Sequence, residues 1–127
     1  MRLAPGLREE MLSHALRDLP LEACGLLGGR GEELLLFVPC RNAAKSAQRY
    51  AIAPDEILAA ERRFAERGIE LRGIFRSHPA GPAEPSRTDL GEAVHPSAFY
   101  LIAAPLEGQL RGFHIEHARM REIAVEG

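Results

Sequence analysis

The chain of 127 residues predicts an α+β (mixed α/β) fold, a single β-rich sheet with flanking helices. Three observations predict it. Two segments carry apolar residues at helical spacing with charges opposite. A series of short apolar runs has the length and make-up of strands. Glycine and proline clusters separate these segments, as they do between packed elements.

The first helix lies in "LREEMLSHALRDLP". Leu7, Met11, Leu12, Ala15, Leu16 and Leu19 form one stripe, and Pro20 ends it. "EACGLLGG" and "GEELLLFVPC" read as neighbouring strands joined by a tight turn at Gly28–Gly31. A polar loop, "RNAAKSAQ", leads to a short strand in "RYAIA". The second helix is "PDEILAAERRFAERG", with Pro54 at its start, Gly68 just past its end, and Ile57, Leu58, Ala60 and Phe64 on its buried face.

"IELRGIFRSH" is a strand whose alternation puts Ile74, Arg76 and His78 on one face and Gly73, Phe75 and Ser77 on the other. A loop with three prolines follows, then "SRTDLGEAV", a short helix with Ser86 as N-cap and Asp89 completing a capping box. "AFYLIAAPL", "LRGFHIEHA" and "REIAVE" supply the last strands. The length suits one domain over residues 1–127.

Composition narrows the function. Hydrophobic residues make up 46% and charged residues 27%, the balance of a soluble globular protein. The net charge of −2, with both signs interspersed, argues against nucleic acid or a membrane surface as partner. No run has the length of a signal peptide or a membrane span. Cys24 and Cys40 are not in a CxxC arrangement and read as buried or unpaired thiols, which fits a reduced, cytoplasmic setting.

The residue types that carry chemistry are Glu22, His78, Ser86 and Asp89. A catalytic zinc commonly takes three His or carboxylate ligands and keeps a water in the fourth position. A carboxylate outside the coordination shell then takes the proton of that water, and a hydroxyl donates to the developing oxyanion. His78 and Asp89 fit as ligands, Glu22 as base and Ser86 as donor. On spacing alone, the same residues also fit a strand-end histidine, a capped helix and a solvated aspartate.

The chain resembles the JAMM (MPN/Mov34) metallopeptidase family, in its compact prokaryotic single-domain form. The family pattern is "E-x-C-G-x-L-x-G", then "H-x-H-P" and "P-S-x-x-D". This chain has "EACGLLGG" (22–29) and "RSHPAGPAEPSRTD" (76–89), and the similarity extends through "RNAA", "YAIAPDEI", "FYLIAAP" and "LRGFHI". The resemblance implies a JAMM/MPN-like, cytidine-deaminase-like three-layer architecture. It implies one zinc ion held by His78 and Asp89, with Glu22 as general base and Ser86 as oxyanion-side donor. It also implies hydrolysis of a peptide or isopeptide bond at the C-terminal tail of a ubiquitin-like or sulfur-carrier protein.

Arg76 departs from the pattern. It stands at the first histidine-ligand position and brings a permanent cation there. Two expectations follow. One is a zinc hydrolase with weakened or rearranged metal binding. The other is a metal-free pseudoenzyme or interaction module, with Arg76 paired to Asp89 or Glu22 and the tail bound without cleavage. His14, His95, His114 and His117 are expected to be packing or surface residues rather than substitute ligands.

Overall fold

The computed structural model describes residues 1–93, 95 and 97–127. In chain order the elements are β1 (Arg2–Leu3), α1 (Leu7–Asp18), β2 (Cys24–Arg30), β3 (Glu33–Cys40), α2 (Pro54–Glu66), β4 (Glu70–Ser77), α3 (Arg87–Glu92), β5 (Phe99–Ala104), β6 (Gln109–Glu116) and β7 (Arg119–Ile123). The seven strands form one sheet in the order β1-β3-β2-β4-β5-β6-β7. The β1–β3 and β4–β5 pairs are parallel, and the remaining neighbours are antiparallel.

Strand alternation divides the core into two clusters, one on each face. Leu27, Phe37, Phe75 and Leu101 pack with Met11 and Ala15 of α1. Leu26, Ile74, Tyr100, Ile102 and Phe113 pack with Ala60 and Phe64 of α2. Neighbours such as Leu26 and Leu27, or Ile74 and Phe75, therefore serve opposite layers, as a period of two requires. The result is a sheet between helices, the predicted fold class.

Local chemistry sets the helix limits. Pro54 opens α2, with Asp55 and Glu56 in its first turn where the helix dipole favours acids. Gly68 follows its end at a φ of 65°, a conformation that suits glycine. Ser86 caps α3 through the predicted box with Asp89. Of the predicted span 86–94, Val94 lies outside the described residues.

Several expectations are corrected. "RYAIA" is not a strand: the Ala51 N–H donates to the Asn42 side chain, and the Ala51 carbonyl accepts from Ala43. Side-chain hydrogen bonding here replaces a sheet ladder. Gly28 and Gly29 belong to β2 rather than to the hairpin turn. The register of β2 shifts beside them, and a Cβ on Gly28 would overlap the Phe64 ring. Glu22 precedes β2 instead of lying within it. Leu16 and Leu58 are exposed, because the buried stripes of α1 and α2 are narrower than the apolar patterns. The two-residue β1 has too little sequence to announce itself.

Cys24 and Cys40 are buried free thiols that face each other as partners in the β2–β3 pair. Burial pushes Cys24 up to about 12 and Cys40 up to about 11. At about pH 8 neither is expected to react with Ellman's reagent in the folded protein, and both react after denaturation. A Phe64→Ala variant loses the ring that fills the space beside Gly28. It should be less stable by about 3–5 kcal/mol in urea titration, with the slope unchanged.

Candidate functional site

The candidate residues converge at the C-terminal end of β4. The Ser77 side chain accepts from the Ala23 backbone at 2.8 Å, and the Ser77 N–H donates to the Ala23 carbonyl at 3.0 Å. These bonds hold the segment preceding β2 against the end of β4 and bring Glu22 beside Arg76. The His78 N–H donates to the Ala103 carbonyl of β5 at 2.8 Å, which fixes the exit of the strand. The proline loop then returns as α3, whose capping box presents Asp89 from the opposite side.

At the centre lies the Arg76 guanidinium. Nε donates to Glu22 Oε1 at 3.0 Å, and Nη2 donates to Oε1 at 2.7 Å and Oε2 at 2.9 Å. Nη1 faces Asp89 Oδ1, whose partner is this counter-charge rather than a regular hydrogen bond. All three side chains are nearly inaccessible: 8% for Arg76, 1% for Glu22 and 4% for Asp89. The Tyr50 ring covers the guanidinium at 4.6 Å from its centroid, a cation–π contact.

Asn42, read from the sequence only as part of a polar loop within the family similarity, organises this cover. Its side-chain amide donates to the carbonyls of Glu22, Ser46 and Arg49. Its side-chain oxygen accepts from Ala44 and Ala51. One buried amide thus ties the backbone of Glu22 to the loop that carries Tyr50.

His78 Nδ1 hydrogen-bonds the Pro82 carbonyl at 2.8 Å, and Nε2 lies 3.2 Å from Asp89 Oδ2. Burial holds the His78 ring below the usual histidine range; the Pro82 bond opposes this, and the Arg76 charge adds to it. Burial pushes the Glu22 carboxyl up, and the Arg76 guanidinium pulls it back. The Ser86 hydroxyl accepts from the Asp89 N–H at 3.1 Å, and Ser86 lines the groove. Glu22, Arg76, His78, Pro85 and Ser86 line a groove of about 320 Å³, with Gln48 and Glu84 at its walls.

Zinc does not fit this donor set. His78 and Asp89 are one donor short of a three-donor site, and the Arg76 guanidinium engages Asp89. Among the described residues no group of three or more His, Cys, Asp and Glu side chains is arranged to hold a metal ion. The spare histidines do not repair this. His14 is buried against the Cys24 carbonyl, and His114 stacks on Phe99 at 4.8 Å. The backbone N–H of His95 donates to the Tyr100 hydroxyl beyond the end of α3. Both Glu22 oxygens accept from Arg76.

The sheet, its two helical layers and this groove define a JAB/MPN-type domain. The model for prokaryotic homologs of the JAB domain matches residues 4–119, and the chain belongs to that family. It is 33% identical over 120 residues to the CysO-cysteine peptidase of Mycobacterium tuberculosis, covering 91% of this chain and 82% of the relative. It is 39% identical over 89 residues to the probable TtuB-protein conjugate cleaving protease of Thermus thermophilus, covering 69% and 60%. A solution structure of a protein from Desulfitobacterium hafniense superposes with a TM-score of 0.87 at 37% identity, covering 98% of this chain and 90% of that one. The fold is also shared, at 19% identity and a TM-score of 0.62, with a chain described as a JAMM metalloprotease-like zinc site in the proteasome and signalosome, with 99% and 95% covered.

The Arg76 pairing has a measurable pH signature. Arg76→Met leaves two buried carboxylates without a counter-charge, and near pH 7 it should cost about 3–5 kcal/mol. In the variant Glu22 keeps the upward push of burial and loses the downward pull of Arg76, so its folded-state value lies above its unfolded one and the folded state binds more protons. The penalty is therefore small at low pH and grows as pH rises through the raised value. Urea titrations should show the gap from the parent narrowing between about pH 7 and pH 5.

Proposed function

We propose that this protein holds the C-terminal tail of a ubiquitin-like or sulfur-carrier protein in the groove beside His78 and Ser86, without zinc-dependent cleavage. The observation that carries the reading is the Arg76 guanidinium, which stands at a ligand position and binds both Glu22 and Asp89. The partner class is supported by the relatives named for CysO-cysteine and for TtuB-protein conjugates. Neutral donors and acceptors suited to an extended peptide line the groove, Gln48 and Ser86 among them.

One observation favours a hydrolytic reading instead. Glu22, His78, Ser86 and Asp89, the residues the family pattern assigns to base, ligands and oxyanion donor, lie within one site. That reading requires Arg76 to leave two carboxylates in a buried setting and a third metal donor to replace it. Breaking such a pair costs several kcal/mol, which weighs against it.

Elemental analysis separates the two. The protein purified with zinc present should hold far less than one equivalent, and Arg76→His should hold about one per chain. A sulfur-carrier conjugate incubated with the parent protein should stay intact, and its binding should be indifferent to chelator. A full equivalent of zinc in the parent, or chelator-sensitive cleavage by it, would falsify the non-cleaving reading.

A further inference from the structure

The outer edge of β3 has a strand beside it over only two residues. β1 pairs with Glu33 and Leu34 and goes no further. From Leu35 to Cys40 no strand among the described residues lies on that side. Pro39 has no N–H to give to a ladder, and two residues on the Arg41 N–H turns outward to the Glu56 carboxylate at 3.1 Å. Positions 37, 39 and 41 therefore turn their backbone groups away from β2, and at Phe37 both the N–H and the carbonyl face the open edge. The edge is also apolar. Leu35 is 36% exposed, and Leu36 and Val38 are only partly buried on the α2 side. An open apolar edge of this kind is a template for a further strand.

A groove of about 490 Å³ runs along it, lined by Glu9, Ser13 and Arg17 of α1, Phe37 and Pro39 of β3 and Arg63 of α2. Glu9, Ser13 and Arg17 stand four residues apart and form one exposed stripe that reads acid, small, base. Neither Glu9 nor Arg17 enters an ion pair among the described residues. The His14 ring packs on Phe37 with centroids 5.9 Å apart, so the middle of the stripe lies level with the free backbone groups.

A two-fold axis perpendicular to the sheet at Phe37 satisfies both features at once. Phe37 then meets its own copy as a hydrogen-bonded antiparallel pair, each N–H donating to the other carbonyl. Leu36 comes opposite the partner's Val38, and Leu35 opposite the partner's Pro39, so the cross-strand pairs are apolar. The two α1 helices lie antiparallel on one side of the joined sheet. Glu9 faces the partner's Arg17, Ser13 faces the partner's Ser13, and Arg17 faces the partner's Glu9. A strongly acidic or basic partner would leave one end of the stripe opposed by like charge; a copy of the chain matches both ends.

We propose that this protein pairs with a second copy of itself through the β3 edge and the Glu9–Ser13–Arg17 stripe, so that one sheet runs through both chains. None of these residues lines the groove beside His78, and the pair presents two such grooves. Self-association is independent of what those grooves hold.

Sedimentation equilibrium of the full chain in low salt, from about 1 to about 500 µM, covers the range where a small interface dissociates. The parent should pass from monomer to dimer across it. Arg17→Glu and Glu9→Arg each place like charges opposite one another twice in the pair, and each should weaken association at least about ten-fold. Mixed in equal amounts, the two variants should associate about as tightly as the parent, because one stripe is then all acid and the other all base. Recovery on mixing also excludes misfolding as the cause of the loss. Leu35→Lys, which puts a charge on the edge, should leave a monomer. A parent that stays monomeric throughout overturns the proposal and leaves the edge to a different chain. A dimer indifferent to both charge reversals overturns it, as does failure of the mixed variants to associate. A Leu35→Lys variant that dimerises like the parent removes β3 from the contact and overturns it too.

Discussion

A single buried cation holds this site together. The Arg76 guanidinium joins three parts of the chain that no continuous element connects: the segment before β2 through Glu22, the end of β4 through its own backbone, and α3 through Asp89. A buried ion pair is costly to assemble, because each charge gives up its hydration. The cost is offset here by a bidentate fork on Glu22, a second carboxylate at Nη1 and an aromatic face over the remaining surface. Arginine suits the position better than lysine would, since only a planar fork reaches both carboxylates with separate nitrogens.

The surroundings show how local chemistry supports that geometry. Asn42 spends its amide on the Glu22 carbonyl and on the loop that delivers Tyr50, so the cover over Arg76 and the placement of Glu22 are one structural unit. The capping box of α3 serves twice. It starts a six-residue helix that has little stability of its own, and it aims Asp89 inward. Ser77 seals the approach of β4 to the segment before β2 by bonding the Ala23 backbone in both directions. Backbone and side-chain bonds therefore place the three segments, and the Arg76 charge ties them at one point.

Much of the fold was legible. Apolar runs marked the two long helices and five of the longer strands, with "REIAVE" overlapping β7 only over 121–123, and Pro54, Gly68 and the Ser86–Asp89 box marked ends that the structure reproduces. Errors fell where pairing is decided by distant partners. "RYAIA" has the composition of a strand, but Asn42 takes the hydrogen bonds a neighbouring strand would have supplied. Gly28 and Gly29 look like turn residues, yet they lie inside β2 because Phe64 and β3 approach too closely for any side chain. Tyr50 and Asn42 lie in segments that carry the family similarity, but their roles as cover and tether are defined by what they touch.

The sequence by itself determined the family and the presence of a fixed cation at position 76, because these follow from residue type and order. It left open what that cation would do. Glu22 and Asp89 were equal candidates as partners, at separations of 54 and 13 positions, and spacing has no means of choosing between them. Only the packing of β2, β4 and α3 around one point decided that Arg76 takes both. The physical reason is that a guanidinium has more donors than one carboxylate can accept from, and burial leaves it no water to supply the rest.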